Sequence, residues 1–233
     1  MKFVHHQKIM ETFPDHYTGL IGPVVIEDKT ALIEATQKLL ADARRKEACV
    51  LQAVERWKNV FQKIGAKPKY HSSLQAIKEY FDANEKIYAI SPIVDFYNAY
   101  CLCNGLPMAA YDADQVRGDI VLRPAAKDEP FVPLGSPKQM EKTKNGEIVY
   151  ADSEQIICRY WNLQDCHTTR ITDDTRNVLF FFDLLDGEGF DAQAQWATIL
   201  KDFQSLFGAS IGGGLTGPKA GETVDLTLSQ KAA

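Results

Sequence analysis

The distribution of apolar and polar positions predicts helices in the first half of the chain. Two early segments repeat apolar residues at intervals of three and four positions, a spacing that places them on one face of a helix. These segments are 28–45, where Asp28 is suited to cap the amino terminus, and 47–63, after which Gly65 ends the helix. The run before them, 23–27, is rich in β-branched residues and predicts a short strand.

Capping signals predict two further helices. One begins at Ser72 or Ser73, whose hydroxyl groups can accept hydrogen bonds from amides of the first turn. The other begins where Ser91 is followed by Pro92, a residue that suits the first turn because its nitrogen needs no partner there. This helix ends at Gly105.

The second half of the chain is predicted to be rich in strands and closed by one amphipathic helix. That helix runs from Asp191 to Phe207, and Gly208 ends it. The Gly-rich segment 208–221 is interpreted as a flexible connection, followed by a short strand or disordered tail at 223–228. The predicted strands are 119–123, 147–150, 155–160 and 178–184. This order favours an α+β fold, with helices layered on mixed or antiparallel β-sheets, over alternating βαβ units.

Composition and charge exclude several classes of protein. The 233 residues are 45% hydrophobic and 24% charged, which is typical of a globular chain and not of a disordered one. No apolar run approaches the ~20 residues of a membrane span. The first residues lack the apolar core of a signal peptide, so a cytoplasmic protein is expected. The net charge of −5 argues against non-specific coating of nucleic acid but allows a local basic patch.

The sequence gives little support for a metal site, a catalytic thiol or a phosphate-binding loop. The five cysteines form no Cys-x-x-Cys pair and no two of the five histidines stand four positions apart, so neither metal nor cofactor is predicted. Reduced, mostly buried thiols are expected. Cys166 and His167 are neighbours, but adjacent side chains of a strand point to opposite faces and cannot form a nucleophile–base pair. His5 and His6 are interpreted as a polar amino-terminal segment, and 212–214 as a loop.

Two groups of basic residues are candidates for contact with RNA, although charged groups of this size more often form a solvated surface. One group precedes the predicted helix at Ser72, and the other lies in a polar loop before the strand 147–150. The groups are Lys58, Lys63, Lys67, Lys69 and His71, and Lys138, Lys142 and Lys144.

The segment 91–123 carries the most specific pattern in the chain. Its features are Val94-Asp95, Asn98, Gly105-x-Pro107-Met108, Asp112-x-Asp114 and Gly118-x-Ile120-x-x-Arg123. Downstream stand the run 147–152 and Thr175-x-Asn177-Val178. Together these features resemble the editing domain of the phenylalanyl-tRNA synthetase β subunit over roughly residues 70–185, a spacing far more specific than any single motif.

The resemblance implies a two-part α+β domain whose cleft receives the aminoacylated end of tRNA and hydrolyses wrongly attached tyrosine. Such ester hydrolysis needs a positioned water and a stabilised oxyanion. The first seventy residues resemble the opening of free-standing proteins that carry this domain, and a complete aminoacyl-tRNA ligase is not expected. The predicted organisation is therefore a strand–helix–helix extension over 1–69, an editing or tRNA-binding domain over 70–207 and a Gly-rich tail over 208–233.

The sequence departs from the family pattern at two positions. Bacterial members usually have a histidine directly after the Pro-Met pair, where this chain has Ala109. Ten residues before Asn177, where the family usually has a glutamate, this chain has His167. Ala109 is expected to enlarge the pocket, while His167 supplies an imidazole from the opposite wall that can orient or deprotonate water. His167 and Thr168 are therefore predicted to be catalytic, on a substrate different from that of the synthetase.

The remaining candidates are assigned to the substrate and to tRNA. Asn98 has the alternative role of holding backbone groups, and Trp161 that of a core residue. The predicted substrate-binding residues are Asn98, Ala109, Tyr111, Asp112, Asp114, Arg159 and Trp161, and the predicted tRNA-binding residues are Lys67, Lys69, Lys138, Lys142 and Lys144.

Three functions remain open at this point. The first is a trans-acting editing factor that hydrolyses a mischarged aminoacyl-tRNA. The second is a module that binds a tRNA end, an aminoacyl group or a free amino acid without hydrolysis. The third is a protein-interaction domain that kept the fold alone, because a fold does not determine a function.

Overall fold

In the computed structural model, which describes residues 1–226, the chain forms a six-stranded, a four-stranded and a two-stranded β-sheet, with α-helices packed around the two larger ones. The fold is therefore α+β, with mixed and antiparallel sheets, as predicted. The helices within these residues are α1 Gln7–Thr12, α2 Thr30–Ala43, α3 Glu47–Lys63, α4 Ser73–Asn84, α5 Pro92–Asn104 and α6 Ala192–Phe207. The strands are β1 Lys2–His5, β2 His16–Val25, β3 Met108–Asp112, β4 Ile120–Pro124, β5 Pro130–Phe131, β6 Glu141–Lys142, β7 Ile148–Ala151, β8 Ile156–Arg159, β9 Gln164–Asp165, β10 Asn177–Leu185, β11 Gly213–Thr216 and β12 Thr223–Asp225.

The two large sheets pack face to face. The six-stranded sheet has the order β12-β1-β4-β7-β8-β9, with β1 and β4 parallel, and the four-stranded sheet has the antiparallel order β11-β2-β10-β3. Phe181 of β10 meets Phe3 and Tyr150 of the other sheet, at ring-centroid distances of 6.1 and 5.4 Å. Phe182 points the other way, onto Phe203 of α6 at 5.2 Å. The strand period of two thus lets β10 contribute to both apolar layers.

Local capping explains the helices that the sequence predicts. Ser72 accepts a hydrogen bond from the amide of Gln75, and Ser91 does the same at the start of α5. Gly105 ends α5 in the left-handed region at φ 61°, where glycine is favoured. At α2 the prediction is one position off: Asp28 accepts from the amide of Thr30, but the helix begins at Thr30 itself.

Two segments differ from their predicted character. His5 is fully buried on β1, so the interpretation of His5 and His6 as a polar segment holds for the exposed His6 alone. The predicted flexible connection contains β11, which pairs with β2. Gly214 is needed there because a Cβ atom would lie 2.5 Å from the side chain of Val224, so close approach and not flexibility explains this glycine.

The amino-terminal strands tie the early and late parts of the chain together. β1 lies between β12 and β4, and β2 lies between β11 and β10, so residues before 69 and after 70 share both sheets. β12 forms a strand within the predicted 223–228, while residues 227–233 lie outside the described part of the chain. In the described part, no helix has the length and apolar character needed to cross a bilayer. The cysteines are all unpaired, and four are buried while Cys49 is exposed, which confirms the expected thiols.

Candidate functional site

An open cleft of about 470 Å³ lies between the end of β3 and the turn that follows β9. It brings His167 and Thr168 together with Asp112 and Asp114, although these pairs are far apart in the chain. The lining residues are Asp112, Asp114, Gln115, His167, Thr168, Arg170, Thr172 and Asp174. We refer to this as the His167 cleft.

The acidic wall of the His167 cleft is held by the Thr-x-Asn-Val motif. Asp112 is buried, and its carboxylate accepts hydrogen bonds from the amide of Asp114 at 3.0 Å and the hydroxyl of Thr175 at 2.8 Å. The exposed Asp114 accepts from the side-chain amide of Asn177 at 2.9 Å. The spacing of the two motifs therefore has a physical reason, because each aspartate has its partner in the downstream motif.

The backbone holds His167 in place at both ends of the residue. Its amide donates to the carbonyl of Val132 at 2.9 Å, and its carbonyl accepts from the guanidinium of Arg170 at 2.5 Å. Its Nδ1 is buried and has no hydrogen-bond partner among the described residues, and Thr168 beside it is exposed. A half-buried imidazole on a fixed backbone, in the lining of an open cleft, can take part in proton transfer with a bound molecule.

The neighbouring thiol is structural. Cys166 Sγ lies 3.1 Å from the hydroxyl of the buried Thr169, on the side away from the His167 cleft lining. Burial raises the pKa of Cys166, so the thiol stays protonated near neutral pH and is a poor nucleophile. Thr168, and not Thr169, lines the cleft.

Three predicted substrate-binding residues lie away from the His167 cleft. Ala109 and Tyr111 alternate with Asp112 along β3 and face the interior between the sheets, where Ala109 pairs with Phe181. Tyr111 is buried and donates to the carboxylate of Asp165 at 2.9 Å. Asn98 is buried within α5. The sequence predicted that Ala109 enlarges the pocket, but Ala109 does not line this cleft.

Arg159 is a buried ion-pair residue. Its guanidinium bonds Glu147 at 2.6 Å and Glu141 at 2.7 Å, and it stacks over the ring of Phe131 at 5.3 Å. These partners occupy its donors and join β8 to β6 and to the residue that precedes β7. The structure does not bring Arg159 to the His167 cleft.

Trp161 belongs to the core, which was the alternative to a substrate-binding role in the sequence analysis. Tyr160 and Trp161 both adopt left-handed backbone conformations, at φ 48° and 68°, and this turn directs the fully buried indole inward. The indole ring contacts Phe13 at 4.8 Å and His16 at 4.5 Å, and its nitrogen donates to Asp183 at 3.3 Å.

A buried polar cluster surrounds Asp183, and the sequence patterns did not single it out. The carboxylate bonds His16 Nε2 at 3.1 Å and accepts from the side-chain amide of Asn162 at 2.8 Å. It also accepts from the hydroxyl of Tyr150 and from the Trp161 indole. The available signal was a lone carboxylate within the apolar run of β10, because a buried carboxylate requires several donors.

His5 adjoins this cluster and gives the protein a predicted pH dependence. Its ring lies 5.2 Å from that of His16, and burial, followed by the charge of His16, lowers the pKa of His5 from 6.5 to about 3. Between these values the unfolded chain binds a proton that the folded chain does not. We therefore expect the free energy of unfolding to be largest above pH 6.5 and to fall as the pH drops towards 3, by up to about 1.4 kcal/mol per pH unit from this residue.

Urea unfolding from about pH 7 to about pH 4 measures this slope. His5→Gln should make the slope shallower, whereas His6→Asn, which alters the exposed neighbour and keeps a helix-capping acceptor, should not. Equal slopes for His5→Gln and the wild type would contradict the prediction.

The predicted tRNA-binding lysines are all exposed. Lys67 and Lys69 follow α3, and Lys138, Lys142 and Lys144 lie on and around β6. Side chains link the two groups: the rings of Tyr70 and Tyr160 are 4.6 Å apart, and Arg159 donates to the carbonyl of Lys142 at 3.3 Å. We call the surface formed by these five lysines the basic surface.

Comparison with known proteins gives one family match and several relatives. The family model described as the B3/4 domain matches residues 56–207. The phenylalanine–tRNA ligase beta subunit of Fusobacterium nucleatum is 34% identical over 89 residues, which are 38% of this chain and 11% of that subunit. The same subunit of Protochlamydia amoebophila is 32% identical over 149 residues, 62% of this chain and 17% of that one. The chain thus matches a small part of these curated relatives.

One solved structure aligns with most of the chain. It is an N-terminal fragment of the phenylalanyl-tRNA synthetase beta subunit from Pyrococcus horikoshii. The alignment covers 91% of this chain and 49% of that fragment, with a TM-score of 0.44 and 14% identity.

Proposed function

The chain belongs to the B3/4 domain family, and we propose from this premise that it is a trans-acting editing factor that hydrolyses a mischarged aminoacyl-tRNA. The relatives that it resembles are beta subunits of phenylalanine–tRNA ligase. The pattern over 91–123 resembles the editing domain of that subunit. The proposed partner is the acceptor end of an aminoacylated tRNA, and this substrate makes the cytoplasm the proposed place of action.

The observation that carries the proposal is the half-buried imidazole of His167 in the lining of an open cleft, beside the exposed Thr168. In the proposed reaction, the imidazole takes a proton from water as the water oxygen attacks the ester carbonyl. The Thr168 hydroxyl and the Arg170 guanidinium line the same cleft and are suited to stabilise the oxyanion. The imidazolium then returns the proton to the departing ribose oxygen, which leaves the free amino acid and tRNA.

The acidic wall suits the other charged part of the substrate. An aminoacyl ester carries a free α-ammonium group, and the exposed Asp114 and Asp174 offer carboxylates to it. Because Ala109 and His167 stand where the family usually has histidine and glutamate, we propose an amino acid other than tyrosine as the one that is removed.

A deacylation assay tests the proposal directly. Each member of a panel of correctly and incorrectly charged tRNAs is incubated with the protein, and release of the amino acid is followed against spontaneous hydrolysis. We expect at least one mischarged tRNA to be hydrolysed faster than its correctly charged counterpart. Binding of charged tRNA without any hydrolysis across the panel would contradict the proposal and indicate a binding module instead.

The basic surface gives a separate prediction about RNA affinity. The combined variant Lys67→Gln, Lys69→Gln and Lys142→Gln should weaken tRNA binding and flatten its salt dependence. Each lost phosphate contact should reduce the slope of log K against log salt by about 0.7 to 0.9. Filter binding over a range of salt concentrations measures both quantities.

A matched control removes the same charge elsewhere. Lys38, Lys86 and Lys201 are exposed and lie on α2, after α4 and on α6. Their combined replacement by glutamine should leave the slope unchanged. Equal losses in the two triple variants would mean that the net charge, and not the basic surface, governs binding.

A further inference from the structure

A second cleft, of about 220 Å³, lies between α3 and the neighbouring ends of β2 and β10. It shares no lining residue with the His167 cleft. Arg56, Asn59 and Lys63 line it from α3, where intervals of three and four positions place them on one helix face. Asp15 and Asp186 line it from the strand ends, which are joined by a hydrogen bond between their backbones at 2.8 Å.

The cations of this cleft are held in place without carboxylate partners. The half-buried Arg56 stacks on the ring of Phe190 at 4.5 Å, and Lys63 lies 4.8 Å from the ring centroid of Phe13. Lys63 also donates to the carbonyl of Thr12. Neither cation forms an ion pair within residues 1–226. Their positive charge is therefore available to an anionic group in the cleft.

The two carboxylates on the strand side differ in how far they are already engaged. Asp15 forms no ion pair within the described residues. One oxygen of Asp186 accepts from the amide of Ala192 at 2.7 Å, and the other lies 3.9 Å from the exposed Lys219. The cleft thus presents two cations from its helix and two carboxylates from its strands.

A buried histidine completes the strand side. His16 is fully buried and lines this cleft, and its Nε2 is engaged by the carboxylate of Asp183. Because a carboxylate can only accept, Nε2 carries a proton, and the remaining ring nitrogen is Nδ1. This Nδ1 is buried and has no partner among the described residues. A ligand group that forms a hydrogen bond with this nitrogen would offset the cost of burying a polar atom without a partner.

We propose that this second cleft binds a small zwitterion of amino-acid size. Its carboxylate lies against Arg56 and Lys63, and its ammonium group lies against Asp15 and Asp186. A simple anion such as phosphate would meet two carboxylates, and a simple cation would meet Arg56 and Lys63. A volume of about 220 Å³ is below that of pockets for drug-sized molecules, which suits a ligand with few atoms.

Isothermal titration calorimetry of the full chain tests the zwitterion requirement. The proteinogenic L-amino acids are titrated first. The best of them is then compared with its decarboxylated amine, with its N-acetyl derivative and with inorganic phosphate. We expect each probe that lacks one of the two charges to bind at least about tenfold more weakly. Equal binding of phosphate or of the N-acetyl derivative overturns the proposal in favour of a plain anion site.

Single substitutions test whether the amino acid binds in the second cleft. Arg56→Gln and Asp15→Asn should each lower the affinity for the amino acid at least about tenfold, because each removes a charged group on one side of the ligand. Lys58→Gln is the control, because Lys58 lies on the same helix but does not line the cleft and pairs with Glu55. This variant should bind the amino acid as tightly as the wild type does. Circular dichroism shows whether each variant is folded.

His167→Ala separates this site from the proposed deacylation. The variant should bind the free amino acid unchanged, because His167 does not line the second cleft. Loss of binding in His167→Ala, unchanged binding in both Arg56→Gln and Asp15→Asn, or no binding of any amino acid to the wild type would each overturn the inference. None of these results depends on whether a charged tRNA is hydrolysed.

Discussion

His167→Ala is expected to lower the rate of aminoacyl-tRNA deacylation by roughly 10²-fold or more. The substitution removes the imidazole that would accept the proton of the attacking water. The fold should be kept, because the hydrogen bonds that hold His167 in the cleft come from its backbone amide and carbonyl. Single-turnover hydrolysis of the best charged tRNA measures the rate, and filter binding of the same tRNA measures affinity.

The control for this prediction lies in the neighbouring residues. Thr169→Val removes a hydroxyl that bonds Cys166 behind the cleft, so it should affect stability more than the deacylation rate. Thr168→Val removes the exposed hydroxyl within the cleft and should slow the reaction. Full activity of His167→Ala would mean that the water is positioned by backbone or substrate groups, and the proposed role of His167 would be lost.

Asp183→Ala is expected to lower the free energy of unfolding by about 3–5 kcal/mol. The carboxylate accepts from Tyr150, Trp161, Asn162 and His16. Its removal leaves three of these donors buried without an acceptor, while the Tyr150 hydroxyl keeps the hydroxyl of Thr18 at 3.3 Å. Because domains of this kind are stable by about 5–15 kcal/mol, the loss would remove much of the margin. Urea unfolding at constant pH measures the change.

An exposed aspartate provides the comparison for Asp183. Asp173→Ala removes a carboxylate on the surface, and the free energy of unfolding should change by less than about 0.5 kcal/mol. Asp183→Asn keeps one acceptor oxygen, so its loss of unfolding free energy should lie between those of Asp183→Ala and Asp173→Ala. A loss below about 1 kcal/mol for Asp183→Ala would show that the donors find other partners.

Features encoded by neighbouring residues were accessible from the sequence. The interval of apolar residues predicted α3 at 47–63, the bounds it has in the structure. Ser91, Pro92 and Gly105 marked the two ends of α5. Helices are predictable in this way because their hydrogen bonds and caps join residues at most four positions apart. The spacing of motifs over 91–123 and 175–178 likewise pointed to the family that the B3/4 match now shows.

Other features depend on partners that are distant in the chain. β1 and β11 are strands because each pairs with a segment far away in sequence, so neither the buried His5 nor the glycines of β11 could be interpreted locally. The alternation of β3 directs Asp112 to the His167 cleft and Tyr111 to the interior, a choice that depends on which face the neighbouring sheet covers.

The amino-acid sequence by itself therefore determined the α+β class, most of the helices and the family pattern that singled out His167. The tertiary structure alone decided that Arg159 and Trp161 are internal, that Asp183 collects four buried donors, and that Arg56 faces Asp15 across a second cleft. The physical reason is range: capping and amphipathic periodicity act within one turn or one strand, whereas burial, ion pairing and cleft formation join residues that no local pattern connects.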